Sequence, residues 1–438
     1  MHQGTLDLTL DQITKIEGHA SLRLKVQDGN ITECKFSIPE YKRFYTQAVR
    51  KKPITAIPQM VARICGTCSN AHLLCSIKAI EASQGIIPSE QTKILRRILM
   101  NGLMIRDHGL HLYVFALPDI YKRDSLLDFD EKIPEEHELL HDAFAVKEAG
   151  NQLAIWAGGR SVHAPNPTIG GFIKLPLLSE KDKLVSQLKS IRPRVLKLIS
   201  IFQKCDFTLE EDVSFSALQS TDFDFLDGSI LTANGERIID SAYADHLEHI
   251  VIPYSQASGY KFEGKTYIVG ALARVNLSKK YLNPATLEDS AEALKLFPSN
   301  NIYHNNLAQA IEILHCIDDS IAILEKLHIQ DEKPIRYTVK PGIGVGVVEA
   351  PRGTLYHRYE VDGTGIVTNG RIIVPTGQNQ IAIEQSLFHF AKDHLDMPQD
   401  KLSLEFEKIV RAYDPCMSCA SHFLKVKIVK KKKAYNNL

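Results

Sequence analysis

Two cysteine pairs, one near each end, constrain this chain more than any other feature. RICGTCSNAH (63–72) carries Cys65 and Cys68, and DPCMSCASH (414–422) carries Cys416 and Cys419. A site using all four thiols must bring both ends of a 438-residue chain to one point. Gly66, between the first two cysteines, is expected to let the backbone turn so that both sulfurs face that point. Four thiolates make a soft site suited to zinc, an iron–sulfur cluster, nickel or iron. Zinc knuckles usually bring their pairs close in sequence, whereas almost the whole chain lies between these two. On spacing alone, a structural zinc, a buried catalytic metal and unrelated redox cysteines all stay open.

The other cysteines, Cys34, Cys75, Cys205 and Cys316, lie in apolar or helical surroundings and read as inert core residues. The N-terminus lacks the layout of a secretion signal, so disulfide pairing is not required. No apolar run reaches the roughly 18 residues a membrane helix needs. A cytoplasmic protein without a membrane segment is expected. The formal charge is zero, yet the last 16 residues, FLKVKIVKKKKAYNNL, hold six lysines and no acid. The body is therefore acidic and the tail basic, as for an appendage. Nothing resembles a nucleic-acid-binding stripe.

Periodicity predicts an α+β fold, predominantly helical, with a central bundle of long helices and small peripheral β-sheets. ASLRLKVQ and ITECKFSI alternate around Asp28-Gly29-Asn30, a hairpin signal. Apolar residues at three- and four-residue steps mark QTKILRRILMNGLMIRDHGLHLYVFAL and four further helices, which begin at EEHELL, SEKDKL, NLAQAI and QIAIEQ. Short strands and turns are expected from about 206 to 277. PGIGVGVVEAPRG leads into strand-like sequence and is a poor phosphate loop; hairpin turns are the expected reason for its glycines.

RICGTCSNAH and DPCMSCASH together resemble the paired signatures of the nickel–iron hydrogenase large subunit, RxCGxCxxxH and DPCxxCxxH. KIEGH (15–19) is similar to the family's RIEGH, with lysine for arginine. RDHGLHLYVFALPD (106–119) resembles its DHxxHFYxL helix, and GGRSVHAPNPTIGG (158–171) its GGRxxHPxxxxGG stretch, with Ala164 where proline is usual. GALARVN, EAPRGTLYH and VPTGQN follow in the family's order. The wording of DPCMSCASH and the modest length are most similar to the cytosolic, cofactor-coupled members.

The resemblance implies a catalytic subunit that cleaves or forms dihydrogen heterolytically. Cys65, Cys68, Cys416 and Cys419 would hold nickel, with Cys68 and Cys419 bridging to an iron that carries carbon monoxide and cyanide. Glu17 would relay a proton from Cys416, since burial can raise a carboxyl toward the range useful for relay; read by itself, Glu17 beside Gly18 is equally a turn residue. Arg352 would lie over the open site with Asp107 and Asp414 orienting it, and Pro351 beside it in the cofactor pocket. His72, four residues after Cys68, would hydrogen-bond a ligand sulfur. His108 and His111 could be a zinc pair, though packing around the site fits them better. The family's RxxE reads Arg43-Phe44-Tyr45-Thr46 here. Threonine offers one neutral oxygen in place of a carboxylate, which weighs against a magnesium site with His422.

An iron–sulfur small subunit is implied as obligate partner, because no other cysteine cluster could carry electrons away. A nickel-dependent maturation endopeptidase would remove 423–438, leaving 1–422 as a single body. An NAD(P)-, deazaflavin- or ferredoxin-linked diaphorase subunit could complete the assembly. A hydrogen-sensing regulatory subunit with the same site is the rival reading, although sensors usually lack such a tail. A structural zinc–thiolate scaffold is the reading outside the family.

Overall fold

A computed structural model describes residues 6–39 and 44–421. His422, Arg43 and the lysine-rich tail lie outside the described residues. Four long helices, Glu90–Gly109, Pro134–Gly158, Lys181–Gln203 and His304–Lys326, pack on one another as a bundle. The first starts where Ser89 accepts a hydrogen bond from the Thr92 N–H, with Glu90 in the first turn. It then passes into a π-helical stretch, Leu110–Ala116. Glycine lets it approach the second helix: a Cβ on Gly102 would lie 2.8 Å from Ala154 N, and one on Gly150 2.6 Å from Arg106 N. Any larger residue would push Arg106 and Asp107 out of place.

The sheets are small and peripheral, as predicted. Leu6–Leu10, Ser21–Gln27 and Asn30–Ser37 form an antiparallel meander. Asp28 and Gly29 both have positive φ, 49° and 77°, as the tight hairpin turn requires. A mixed sheet joins Tyr267–Ile268, Ser214–Gln219, Ser229–Thr232 and Arg237–Ile238. A second meander, Gly342–Ala350, Gly353–Val361 and Val367–Ile373, carries the EAPRG turn between its first two strands.

The glycines of PGIGVG do not make hairpin turns. Gly342, Gly344 and Gly346 alternate on one face of a strand, and a Cβ on Gly344 or Gly346 would overlap the carbonyls of Ala79 or Cys75. Their absent side chains let the strand lie directly on the Ser69–Gln84 helix. That contact brings the helix following the first cysteine pair against the meander. The helix Gln399–Ala412, which the sequence reading passed over, leads into the second pair. One continuous apolar core runs from Leu8 to Ala420.

Candidate metal centre

Both cysteine pairs sit where extended backbone turns into helix. Cys65 has φ −143° and ψ 144°, and Cys68 caps the Ser69–Gln84 helix. Cys416, φ −111° and ψ 98°, caps the short Met417–Ala420 helix that carries Cys419. Gly66 has no positive φ, and a Cβ there would meet nothing within 4 Å, so the turn does not depend on it within this chain. Arg106 holds the loop instead, donating to the carbonyls of Thr67 and Ser161.

The chain ends meet at the sulfurs. Cys416 and Cys419 are 3.0 Å apart, Cys68 and Cys419 3.2 Å, and Cys65 and Cys416 3.3 Å. All four are buried and lie within 4.8 Å of one another. The N-terminal segment pairs in parallel with Cys416, and the Met417 N–H donates to the Glu17 carbonyl at 3.0 Å. Thr376 Oγ1 accepts from the Cys416 N–H at 2.9 Å. Bonds from the other cysteines hold the Cys65 thiol well below its ordinary range, while burial pushes Cys416 and Cys419 up. The remaining cysteines are of another kind: burial pushes Cys34 up to about 12 and Cys75 and Cys316 higher still, which keeps them as thiols.

Glu17 is more than a turn residue. Its Oε2 accepts from Cys416 Sγ and from the Ser418 N–H, each at 3.1 Å. Burial raises its pKa, the charge on Cys65 adds to this, and the bonds from Ser418 and Cys416 offset it only in part.

Arg352 is buried between two carboxylates. It donates to Asp107 Oδ2 at 2.6 Å, to Asp414 Oδ1 at 3.0 Å and to the Asp414 carbonyl at 2.9 Å. Burial alone would lower its pKa, but Asp107 and Asp414, with Cys416 and Cys68 behind them, raise it well above the ordinary value. Asp414 adopts φ 47° where the Gln399–Ala412 helix ends, and Gln309 Nε2 donates to its Oδ2 at 2.8 Å. Asp107 Oδ1 is buried with no hydrogen-bond partner among the described residues. The Pro351 carbonyl accepts from Arg274 at 3.1 Å, fixing the turn that aims Arg352.

His72 Nε2 stands 3.6 Å from Cys419 Sγ. His108 and His111 do not pair: one meets Glu312 at 2.9 Å, the other Gln309 at 2.6 Å and the Arg411 carbonyl at 2.9 Å. Thr46 lies in a short helix, its hydroxyl buried with no hydrogen-bond partner among the described residues. Sequence reasoning missed Arg106, Gln309 and Thr376 as holders of the site.

Four buried thiols this close form a soft donor set that one ion, at the ~2.3 Å thiolate bond length, reaches after small adjustments. Beside them stand an acid within reach of one sulfur and a guanidinium pinned by two aspartates. This is the layout of a buried thiolate-metal oxidoreductase. The nickel-dependent hydrogenase family model matches residues 46–172 and 234–422. The chain is 31% identical to sulfhydrogenase 2 subunit alpha of Pyrococcus furiosus, over 96% of this chain and 100% of that one. It is also 31% identical to sulfhydrogenase 1 subunit alpha of the same organism, over 96% and 99%. An NAD+-reducing NiFe-hydrogenase in its H2-reduced state superposes with TM-score 0.83 at 26% identity, covering 95% of this chain and all of that one. The chain belongs to the nickel-dependent hydrogenase family, as a large subunit of the nickel–iron type. Both of these relatives are named as alpha subunits. Among the described residues, no helix is long and apolar enough to cross a membrane.

Proposed function

We propose that Cys65, Cys68, Cys416 and Cys419 hold nickel, with Cys68 and Cys419 shared with an iron bearing carbon monoxide and cyanide. The reading rests chiefly on the approach of four buried sulfurs to within 4.8 Å from opposite ends of the chain. When bound, such a pair supplies the two-electron centre at which dihydrogen is split or formed. The chain's own residues manage the proton. Glu17, held 3.1 Å from Cys416 Sγ, takes it from the sulfur and passes it on; its raised pKa suits both steps. Arg352 presents positive charge over the site, oriented by Asp107 and Asp414, with Pro351 closing the wall beside it. His72 donates to Cys419.

The small-subunit partner is an iron–sulfur protein that takes the electrons, since no further cysteine cluster is found among the described residues. A diaphorase linked to NAD(P), a deazaflavin or ferredoxin would complete the assembly. The enzyme works in the cytoplasm. Residues 1–422 are the working body, and a nickel-dependent endopeptidase removes 423–438 after the metal enters. A magnesium site with His422 is disfavoured by Thr46. The test is isotope exchange: the natively purified complex, with nickel and iron quantified, is incubated with D2 in H2O. HD formation is expected; zinc in place of nickel and no HD would reject the reading.

A further inference from the structure

A file of three buried hydrogen-bonding groups leads away from Cys419. His72 Nε2 is 3.6 Å from its sulfur, His72 Nδ1 is 3.2 Å from His357 Nε2, and His357 Nδ1 is 2.7 Å from the Tyr359 hydroxyl. All three side chains are essentially sealed from solvent. His357 and Tyr359 stand two apart on one strand, so both point to the same face, toward the helix bearing His72. Each ring has a partner at both of its nitrogens, His72 between Cys419 and His357, and His357 between His72 and Tyr359. A neutral imidazole can donate from one nitrogen only, and its neighbour decides which.

One order of donors suits a thiolate at Cys419. If Tyr359 donates to His357 Nδ1, the His357 hydrogen is on Nε2 and is donated to His72 Nδ1. The His72 hydrogen is then on Nε2, directed at Cys419. In the reverse order, a lone pair of His72 would face the sulfur, which repels a thiolate.

We infer that His357 and Tyr359 are positioning residues that fix the tautomer of His72, so that Cys419, as a metal ligand, always receives a hydrogen bond. This rests on the nickel–iron reading of the site. A donor on the thiolate withdraws electron density from the metals it holds, so the pair tunes the site without touching it.

The test compares the infrared bands of metal-bound carbon monoxide and cyanide in the complex carrying wild-type, His357→Phe, His357→Gln and Tyr359→Phe subunits, each with its nickel content measured. Losing the donor should shift the carbon monoxide band of His357→Phe to lower wavenumber. Tyr359→Phe should shift it less, in the same direction. His357→Gln keeps an N–H for His72 and a carbonyl for Tyr359, and should return the wild-type position. Unshifted bands in loaded His357→Phe would overturn the inference, as would His357→Gln shifting as far as His357→Phe. If His357→Phe does not mature, Tyr359→Phe decides, because it removes only a hydroxyl: a downward shift supports the inference and an unshifted band overturns it. A nickel-loaded wild-type complex without bands would instead overturn the nickel–iron reading, and this inference with it.

Discussion

Two guanidinium–carboxylate clusters lie side by side in the interior, and they differ in what they leave unspent. Arg274 donates to both oxygens of Glu312, to Glu349, and to the carbonyls of Ala350 and Pro351, using all five of its N–H groups. His108 completes Glu312, while Thr354 and the Leu218 N–H complete Glu349. Arg352, one residue beyond Pro351, makes only three bonds, and its partner Asp107 keeps one oxygen unpartnered among the described residues. A buried guanidinium that uses all its donors holds the fold; one that keeps donors in reserve, with an unpartnered acceptor and thiols beside it, serves chemistry. The first also aims the second, through the Pro351 carbonyl.

The largest expected effect belongs to the sulfurs. Replacing Cys416 with serine should reduce the nickel in the purified complex to background by elemental analysis, whatever the state of either arginine. The two arginines should then separate cleanly. Arg352→Lys is expected to lower hydrogen turnover by about 10²–10³-fold, the scale seen when one preorganised donor is removed, with little change in melting temperature. Arg274→Met strands two buried carboxylates and should cost about 3–5 kcal/mol of stability, read as a fall in melting temperature. Equal effects of the two variants on melting would erase the distinction.

Acid sharpens the contrast. Glu312 is brought down to about 2: burial would raise it, but the charge of Arg274 outweighs that. A carboxyl held below its unfolded value contributes stability above about pH 4.3, and that contribution is lost as pH falls toward 2. Glu312→Gln should therefore flatten the acid limb of the stability curve between pH 5 and 2, by about 3 kcal/mol at most. A limb as steep as wild type would show that Glu312 is not the group responsible. The smallest effects concern two glycines. Gly344→Ala must push the strand off the Ala79 carbonyl and should cost about 1–3 kcal/mol, whereas Gly66→Ala meets open space and should leave melting unchanged.

Much of this was legible in the sequence because the informative residues carry their own chemistry. Cysteines at fixed spacing announce a thiolate site, and Glu17, Arg352, Asp107 and Asp414 stood in stretches that resemble one family throughout. The long helices were legible from apolar steps without interruption. What stayed hidden depends on groups that meet only in three dimensions. The glycines at 342, 344 and 346 look like turns, since nothing local reveals the helix lying on them. Arg106 looks like one more helical charge until its two carbonyl partners arrive from 39 and 55 residues away. His357 carries no mark of its link to His72, 285 positions earlier. Arg274 and Arg352 cannot be told apart by composition, because their difference is a count of satisfied donors.

We propose that four thiols from both chain ends hold a nickel–iron pair that reacts with dihydrogen. An infrared spectrum of the natively purified, processed complex, taken before and after exposure to dihydrogen, tests it most directly. Bands of metal-bound carbon monoxide and cyanide that shift under the gas are expected. A processed, metal-loaded sample with no such bands, and zinc in its four thiolates, would contradict it.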